Sequence, residues 1–139
     1  LDDCAIARQF YGVHTMHDAT ECGIWGGLFE MARAGGYGLR IDEEAIPVQP
    51  VIKRTAELFD FDPFCAISEG TLLIMMDPAE ADALLLEYKR RGIVAAIVGE
   101  VVPAADGLQV GSSHGSRELV HPVVDPYWAI VDRLRRTQG

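Results

Sequence analysis

The sequence predicts an α+β domain in which helices pack on a mixed or antiparallel sheet, with a doubly wound parallel fold the poorer fit. Three observations carry this. Helical and strand periods alternate along most of the chain. Short strand signals then follow one another across turn-length gaps. The composition, 139 residues with 49% hydrophobic and 24% charged, is that of one globular domain. A chain of this length buries about 68–70% of the surface its unfolded form exposes, so one core needs neither disulfides nor a structural metal. No repeat, low-complexity tract or linker divides it, and residues 1–139 are read as a single domain.

Residues 2–11 read as the tail of a helix closed by Gly12. Val13 to Met16 alternates apolar and polar as a short strand does. From Glu21 to Ala34 the period becomes helical, with Ile24, Trp25, Leu28, Phe29, Met31 and Ala32 in one stripe, stopped by Gly35 and Gly36. Tyr37 to Ile41 is a strand. Pro50 then opens an amphipathic helix carrying Val51, Ile52, Thr55, Leu58 and Phe59. Thr71 to Met76 is an apolar run of strand length. In Asp77-Pro78-Ala79-Glu80, Asp77 caps a helix, Pro78 takes its first position and Glu80 reaches back as in a capping box. That helix, with Ala81, Leu84, Leu85 and Tyr88 on one face, ends at Lys89-Arg90-Arg91-Gly92. Ile93 to Val102 is β-rich, and Asp106-Gly107 is a hairpin signal leading into Leu108–Gly111. Ser112–Ser116 turns before Arg117–Val120, and Asp125-Pro126 starts a last helix with Tyr127, Val131 and Leu134.

Twenty-one Asp and Glu against twelve Lys and Arg give a formal charge of −9. Such a field repels phosphate backbones and anionic lipid, so neither nucleic acid nor a membrane surface is an expected partner. Cys4, Cys22 and Cys65 are odd in number and widely spaced, which is neither a disulfide framework nor a zinc ribbon and predicts a reducing, cytoplasmic setting. No run approaches about 18 uninterrupted apolar residues, and no apolar h-region follows Asp2 and Asp3.

The densest polar run is His14-Thr15-Met16-His17-Asp18-Ala19-Thr20-Glu21-Cys22-Gly23, between a strand and a helix. On a strand His14 and His17 point to opposite faces, which argues against metal ligation by this run. Asp18 or Thr20 caps the helix in the plainer reading, and Glu21 complements its positive end. Gly23, Gly26 and Gly27 leave the first helical turns without bulk, so a ligand's phosphate or carboxylate can approach free backbone N–H groups there. The second candidate run is Asp62-Pro63-Phe64-Cys65-Ala66-Ile67-Ser68-Glu69-Gly70. Glu69 stands between apolar segments, where burial would suit it to proton transfer; the alternative is a solvated loop acid. No phosphate-binding G-x-x-x-x-G-K-[ST], dinucleotide G-x-G-x-x-G or G-x-S-x-G elbow is present.

The ordered set Val13-His14-Thr15-Met16-His17-Asp18-Ala19-Thr20-Glu21-Cys22-Gly23-Ile24, Gly38-Leu39-Arg40-Ile41, Ile46-Pro47-Val48, Asp62-Pro63-Phe64, Ile67-Ser68-Glu69-Gly70-Thr71-Leu72-Leu73 and Ile97-Val98-Gly99-Glu100-Val101 resembles the C-terminal domain of the aminoimidazole ribonucleotide (AIR) synthase-related superfamily. The resemblance runs from about Val13 to Leu119, and among the members it is nearest those of the hydrogenase-maturation type. It implies a three-layer α/β/α arrangement on a mixed sheet and ATP- and Mg²⁺-dependent activation of a substrate oxygen by phosphorylation. It also implies an N-terminal domain, absent from residues 1–139, that carries the acidic metal-binding residues, most nucleotide contacts and usually the dimer surface. A homodimer is therefore left open.

In that family the loop matched by Asp18, Thr20 and Gly23 faces a small phosphorylated or nucleotide ligand, as does the loop matched by Ser68, Glu69 and Gly70. Glu69 and His17 are the candidates for proton transfer, and no residue is assigned to a metal. Two departures stand out. Cys22 occupies a position where Gly is usual, and the sequence ends Leu134-Arg135-Arg136-Thr137-Gln138-Gly139 without the catalytic terminal cysteine of the maturation proteins. The expectation is thus a cleft-closing domain of an ATP-dependent enzyme, inactive alone. A non-catalytic binding or assembly module of the same fold is the alternative, and a metal-dependent hydrolase using His14, His17 and Asp18 is a third.

Overall fold

Residues 2–137 are described by a computed structural model. The elements are α1 (Asp2–Ala7), β1 (Val13–Ala19), α2 (Gly23–Gly35), β2 (Gly38–Asp42), α3 (Pro50–Phe59), β3 (Thr71–Met76), α4 (Pro78–Arg90), β4 (Gly99–Val102), β5 (Leu108–Ser112), β6 (Gly115–Glu118) and α5 (Pro126–Thr137). The fold is α+β, as expected. Its strands divide between two sheets: an antiparallel ribbon of β1 and β3, and a four-stranded mixed sheet in the order β4-β2-β5-β6. Only β2 and β5 run parallel.

The ribbon separates two apolar clusters because strand side chains alternate between faces. Ala19 and Leu73 look toward α2, where they join Trp25, Leu28, Met31 and Ala32, and this cluster continues into Leu39, Ile41 and Val110 of the mixed sheet. Val13, Met16, Ile74 and Met76 look the other way, onto Ile6 and Ala7 of α1 and Leu84 and Tyr88 of α4. Helix α2 is thus the layer shared by ribbon and sheet. The apolar stripe read at three- and four-residue spacing is what it buries, and Trp25 is 2% exposed.

Several local expectations are corrected. Helix α1 stops at Ala7, well before Gly12. Asp77 does cap α4, accepting the Ala79 N–H at 2.8 Å, but Glu80 does not close a capping box. Its Oε2 instead accepts the Gly12 N–H at 3.1 Å, tying the turn before β1 to α4. Asp106-Gly107 does not make a hairpin, since β4 and β5 lie on opposite sides of β2 and the connection crosses over that strand. Of the β-rich stretch 93–102 only Gly99–Val102 pairs, because β2 offers partners just from Gly38 to Ile41. Helix α3 forms as read, yet Val51, Ile52 and Leu58 are exposed and only Ala56 is buried.

Candidate functional site

The two candidate runs meet at one end of the ribbon. The antiparallel register sets Asp18 opposite Leu72 and Ala19 opposite Thr71, so the chain leaving β1 and the chain entering β3 run side by side. Ser68 donates its N–H to the Thr20 carbonyl at 3.2 Å. Thr71 donates back to the Ser68 carbonyl at 3.2 Å, closing a four-residue turn whose third residue, Gly70, has φ +88°. That value suits glycine, which has no Cβ to strain. The hydroxyls of Ser68 and Thr71 are 2.7 Å apart. Asp18, Thr20, Ser68, Gly70 and, by adjacency, Glu69 therefore belong to one surface. Thr71 belongs there too, although the strand reading gave it no role.

The helix beside this junction is built differently from expectation. Neither Asp18 nor Thr20 caps α2. Cys22 is the N-cap, in the left-handed conformation (φ 62°), and its side chain caps nothing. The amide donors are largely spoken for: Gly23 N–H goes to the Thr20 carbonyl at 3.1 Å, Trp25 N–H to the Phe64 carbonyl at 3.1 Å and Gly26 N–H to the Cys22 carbonyl at 3.0 Å. A Cβ on Gly23 would stand 2.5 Å from the carbonyl oxygens of Phe64 and Ala66. Glycine is required here because the 64–66 backbone presses on the helix, which leaves these amides unavailable to a phosphate.

Asp62 organises that pressing segment. It accepts from Phe64 N–H at 2.8 Å, Trp25 Nε1–H at 3.3 Å and Cys65 Sγ–H at 3.3 Å. Arg117 covers the Trp25 ring, 4.9 Å from its centroid. On the other side, Cys22 N–H donates to Asp125 Oδ2 at 2.8 Å, and Asp125 Oδ1 accepts from Tyr127 N–H at 2.9 Å. One buried carboxylate thus caps α5 and pins the turn before α2. Burial raises the Cys22 thiol, with the charges of Asp125, Glu21 and Glu30 adding to it. Burial, then Asp62, pushes the Cys65 thiol up to about 12. Both are held as neutral thiols, unsuited to nucleophilic attack.

Glu69 is exposed, not enclosed between apolar segments. His14 is exposed, while His17 is half-buried against α2 with its Nε2 2.9 Å from Glu30 Oε2. Among the described residues no group of three His, Cys, Asp or Glu is placed to hold a metal ion. An open groove of about 730 Å³ lies on the outer face of the mixed sheet, between Arg40, Glu100, Gln109 and Ser116, and includes none of the predicted site residues. No helix among the described residues is long and apolar enough to cross a membrane. Sequence reasoning missed Glu30 and His121, and it read Asp125 as the start of α5 without its bond to the Cys22 N–H.

Residues 1–111 match the family described as AIR synthase related protein, C-terminal domain. Carbamoyl dehydratase HypE of Rhizobium leguminosarum bv. viciae is 37% identical over 112 residues, covering 78% of this chain and 32% of that protein. Carbamoyl dehydratase HypE of Escherichia coli (strain K12) is 32% identical over 136 residues, covering 91% of this chain and 40% of that protein. The crystal structure of E. coli HypE, a hydrogenase maturation protein, aligns at a TM-score of 0.81 with 31% identity, over 93% of this chain and 42% of that one. A hydrogenase maturation protein HypE solved in complex with ATP shares the fold at a TM-score of 0.72 and 22% identity. The chain spans about a third to two fifths of the length of these curated relatives.

Proposed function

The chain belongs to the family of AIR synthase-related C-terminal domains, and from that premise we propose that it is the cleft-closing domain of an ATP-dependent carbamoyl dehydratase of the HypE kind. In this reading the nucleotide's phosphoryl group activates a substrate oxygen, and an N-terminal ATP-binding domain supplies the other wall of the cleft. The junction of residues 18–20 with residues 68–71 is the observation that carries it. Two segments far apart in sequence are joined there by the Ser68–Thr20 hydrogen bond, with exposed Asp18, Thr20, Glu69 and Gly70 side by side.

The residues present do not fit a phosphate chain with its Mg²⁺. The amides of Gly23, Trp25 and Gly26 already donate to backbone carbonyls, and no metal-holding cluster occurs among the described residues. The part assigned to this domain is accordingly to position the substrate with Asp18, Thr20 and Ser68 and to handle protons with His17 and Glu69. The alternative, a non-catalytic assembly module, draws on the left-handed Cys22 and the same occupied amides.

The test compares purified residues 1–139 with the same chain supplied with a HypE-type ATP-binding domain. Expected are no measurable ATP turnover by the chain alone and, by the pair, turnover that depends on an added S-carbamoyl thiol, since residues 1–139 carry no terminal cysteine. Turnover by the isolated chain would mean that the roles are wrongly divided; a pair that binds but never turns over favours the assembly module.

A further inference from the structure

Around His17 lies a polar cluster of which only the contact with Glu30 has been described. His17 leaves β1 on the face that α2 covers, and Glu30 Oε2 receives its Nε2 at 2.9 Å. The other oxygen, Oε1, is 3.6 Å from Nε2 of His121, which arrives from the segment after β6. Val123 donates its N–H to His121 Nδ1 at 3.0 Å, so neutral His121 carries its proton on Nε2, toward Glu30. One carboxylate hydrogen-bonds His17 and stands at ion-pair distance from His121. Both imidazoles pack on the glycine face of α2: a Cβ on Gly27 would touch His17 Cδ2 at 3.6 Å and one on Gly26 His121 Nε2 at 3.6 Å, while the close approaches there are of Leu73 and Cys22, at 2.8 Å each. Phe29 holds the His121 ring edge-on at 5.5 Å.

We propose that His17 is the proton-transfer residue of this site and that Glu30, its hydrogen-bond partner, is the residue that positions it. With Nε2–H given to Glu30, the lone-pair nitrogen of neutral His17 is Nδ1, which stands 3.7 Å from Asp18 Oδ1 at the exposed end of the strand. A proton taken there leaves an imidazolium between two carboxylates, Glu30 at Nε2 and Asp18 at Nδ1, so the charge formed in the step is met from both sides. Nucleophile–base–orienter arrangements in enzymes share this division of labour.

The assignment rests on the dehydratase reading and deepens it. Transfer of a nucleoside triphosphate's γ-phosphoryl group to the carbamoyl oxygen releases the nucleoside diphosphate, and the first N–H proton goes to solvent. The second N–H bond then breaks toward Nδ1, its electron pair forms the new C–N π bond, the C–O pair leaves with inorganic phosphate, and the imidazolium returns its proton to solvent. His17, 32% exposed at its side chain, is reachable by a ligand and by water.

Two measurements test this separately. In ¹⁵N-imidazole NMR of residues 1–139 at alkaline pH, His17 is expected to show an Nε2–H signal slowed in exchange with water, unlike exposed His14 and His114, and Glu30→Leu is expected to abolish it. Freely exchanging His17 in the wild type overturns the proposal. In turnover with the ATP-binding domain present, His17→Gln, which keeps a hydrogen-bond donor for Glu30, is expected to lower kcat about 10²-fold or more with KM little changed. Glu30→Gln is expected to lower kcat by a smaller factor and to change the pH profile. An undiminished kcat in His17→Gln overturns the catalytic role, even with the NMR signals intact. A wild-type pair without turnover removes the dehydratase reading and that role with it, while the protected His17 imidazole reports the geometry independently.

Discussion

Asp125 is 4% exposed, and both its oxygens accept backbone amides from different parts of the chain, Cys22 and Tyr127. Asp125→Ala strands two donors, each worth about 1–3 kcal/mol when left unsatisfied, so urea unfolding is expected to show a loss of about 2–6 kcal/mol. Asp125→Asn keeps one acceptor and is expected to lose about half as much. The half-buried Cys65 thiol and the buried Tyr88 phenol set the response to alkali. Cys65 is moved from 9.0 to about 12 and Tyr88 from 10.0 to about 12, in both cases chiefly by burial. The unfolded chain gives up these protons first and so binds fewer of them than the folded chain. Stability is therefore complete below pH about 9 and falls as pH rises toward about 12. A urea midpoint that stays flat from pH 8 to about 11 would contradict the burial of both groups.

At the scale of elements, α2 owes its register to the backbone pressed against its first turn. Gly23 sits at φ +59°, with two carbonyl oxygens where a Cβ would go. Gly23→Ala is expected to lose at least about 1–2 kcal/mol from the left-handed conformation alone, with the contact on Phe64 and Ala66 adding to it. Trp25→Ala empties the centre of the larger core and is expected to lose about 3–5 kcal/mol by thermal or urea unfolding. Helix α3 makes the contrasting case. Its apolar residues face solvent, and Arg133 of α5 reaches the Phe59 carbonyl at its C-terminal end at 2.7 Å. With one buried residue, α3 is expected to exchange its amide hydrogens earlier than α2, a comparison that hydrogen exchange makes directly.

Across the whole molecule, the ribbon divides two cores and α2 joins the larger of them to the mixed sheet, so the candidate surface is carried on a packed element at each side. With the amides of Gly23, Trp25 and Gly26 occupied, millimolar ATP is expected to leave the melting temperature of residues 1–139 unchanged. A rise of several degrees would show that the folded chain binds the nucleotide by itself.

Local rules were sufficient wherever local chemistry decides. The stripe from Ile24 to Ala32, the Asp77-Pro78 start of α4, the apolar run 71–76 and the Asp125-Pro126 start of α5 all formed as read, and the ordered motifs identified the family. What failed were readings that needed a partner to be known. Glu80 found Gly12 instead of its own helix end, Asp106-Gly107 joined strands separated by β2, and Cys22 displaced Asp18 and Thr20 as the cap. Glycine in a first turn signals only that something comes close. Whether that something is a ligand's phosphate or the 64–66 backbone depends on which distant segment the fold delivers there, and spacing along a chain contains no such distance. The meeting of His17, Glu30 and His121 is a fact of the same order, decided by three elements that only tertiary packing brings within reach of one carboxylate.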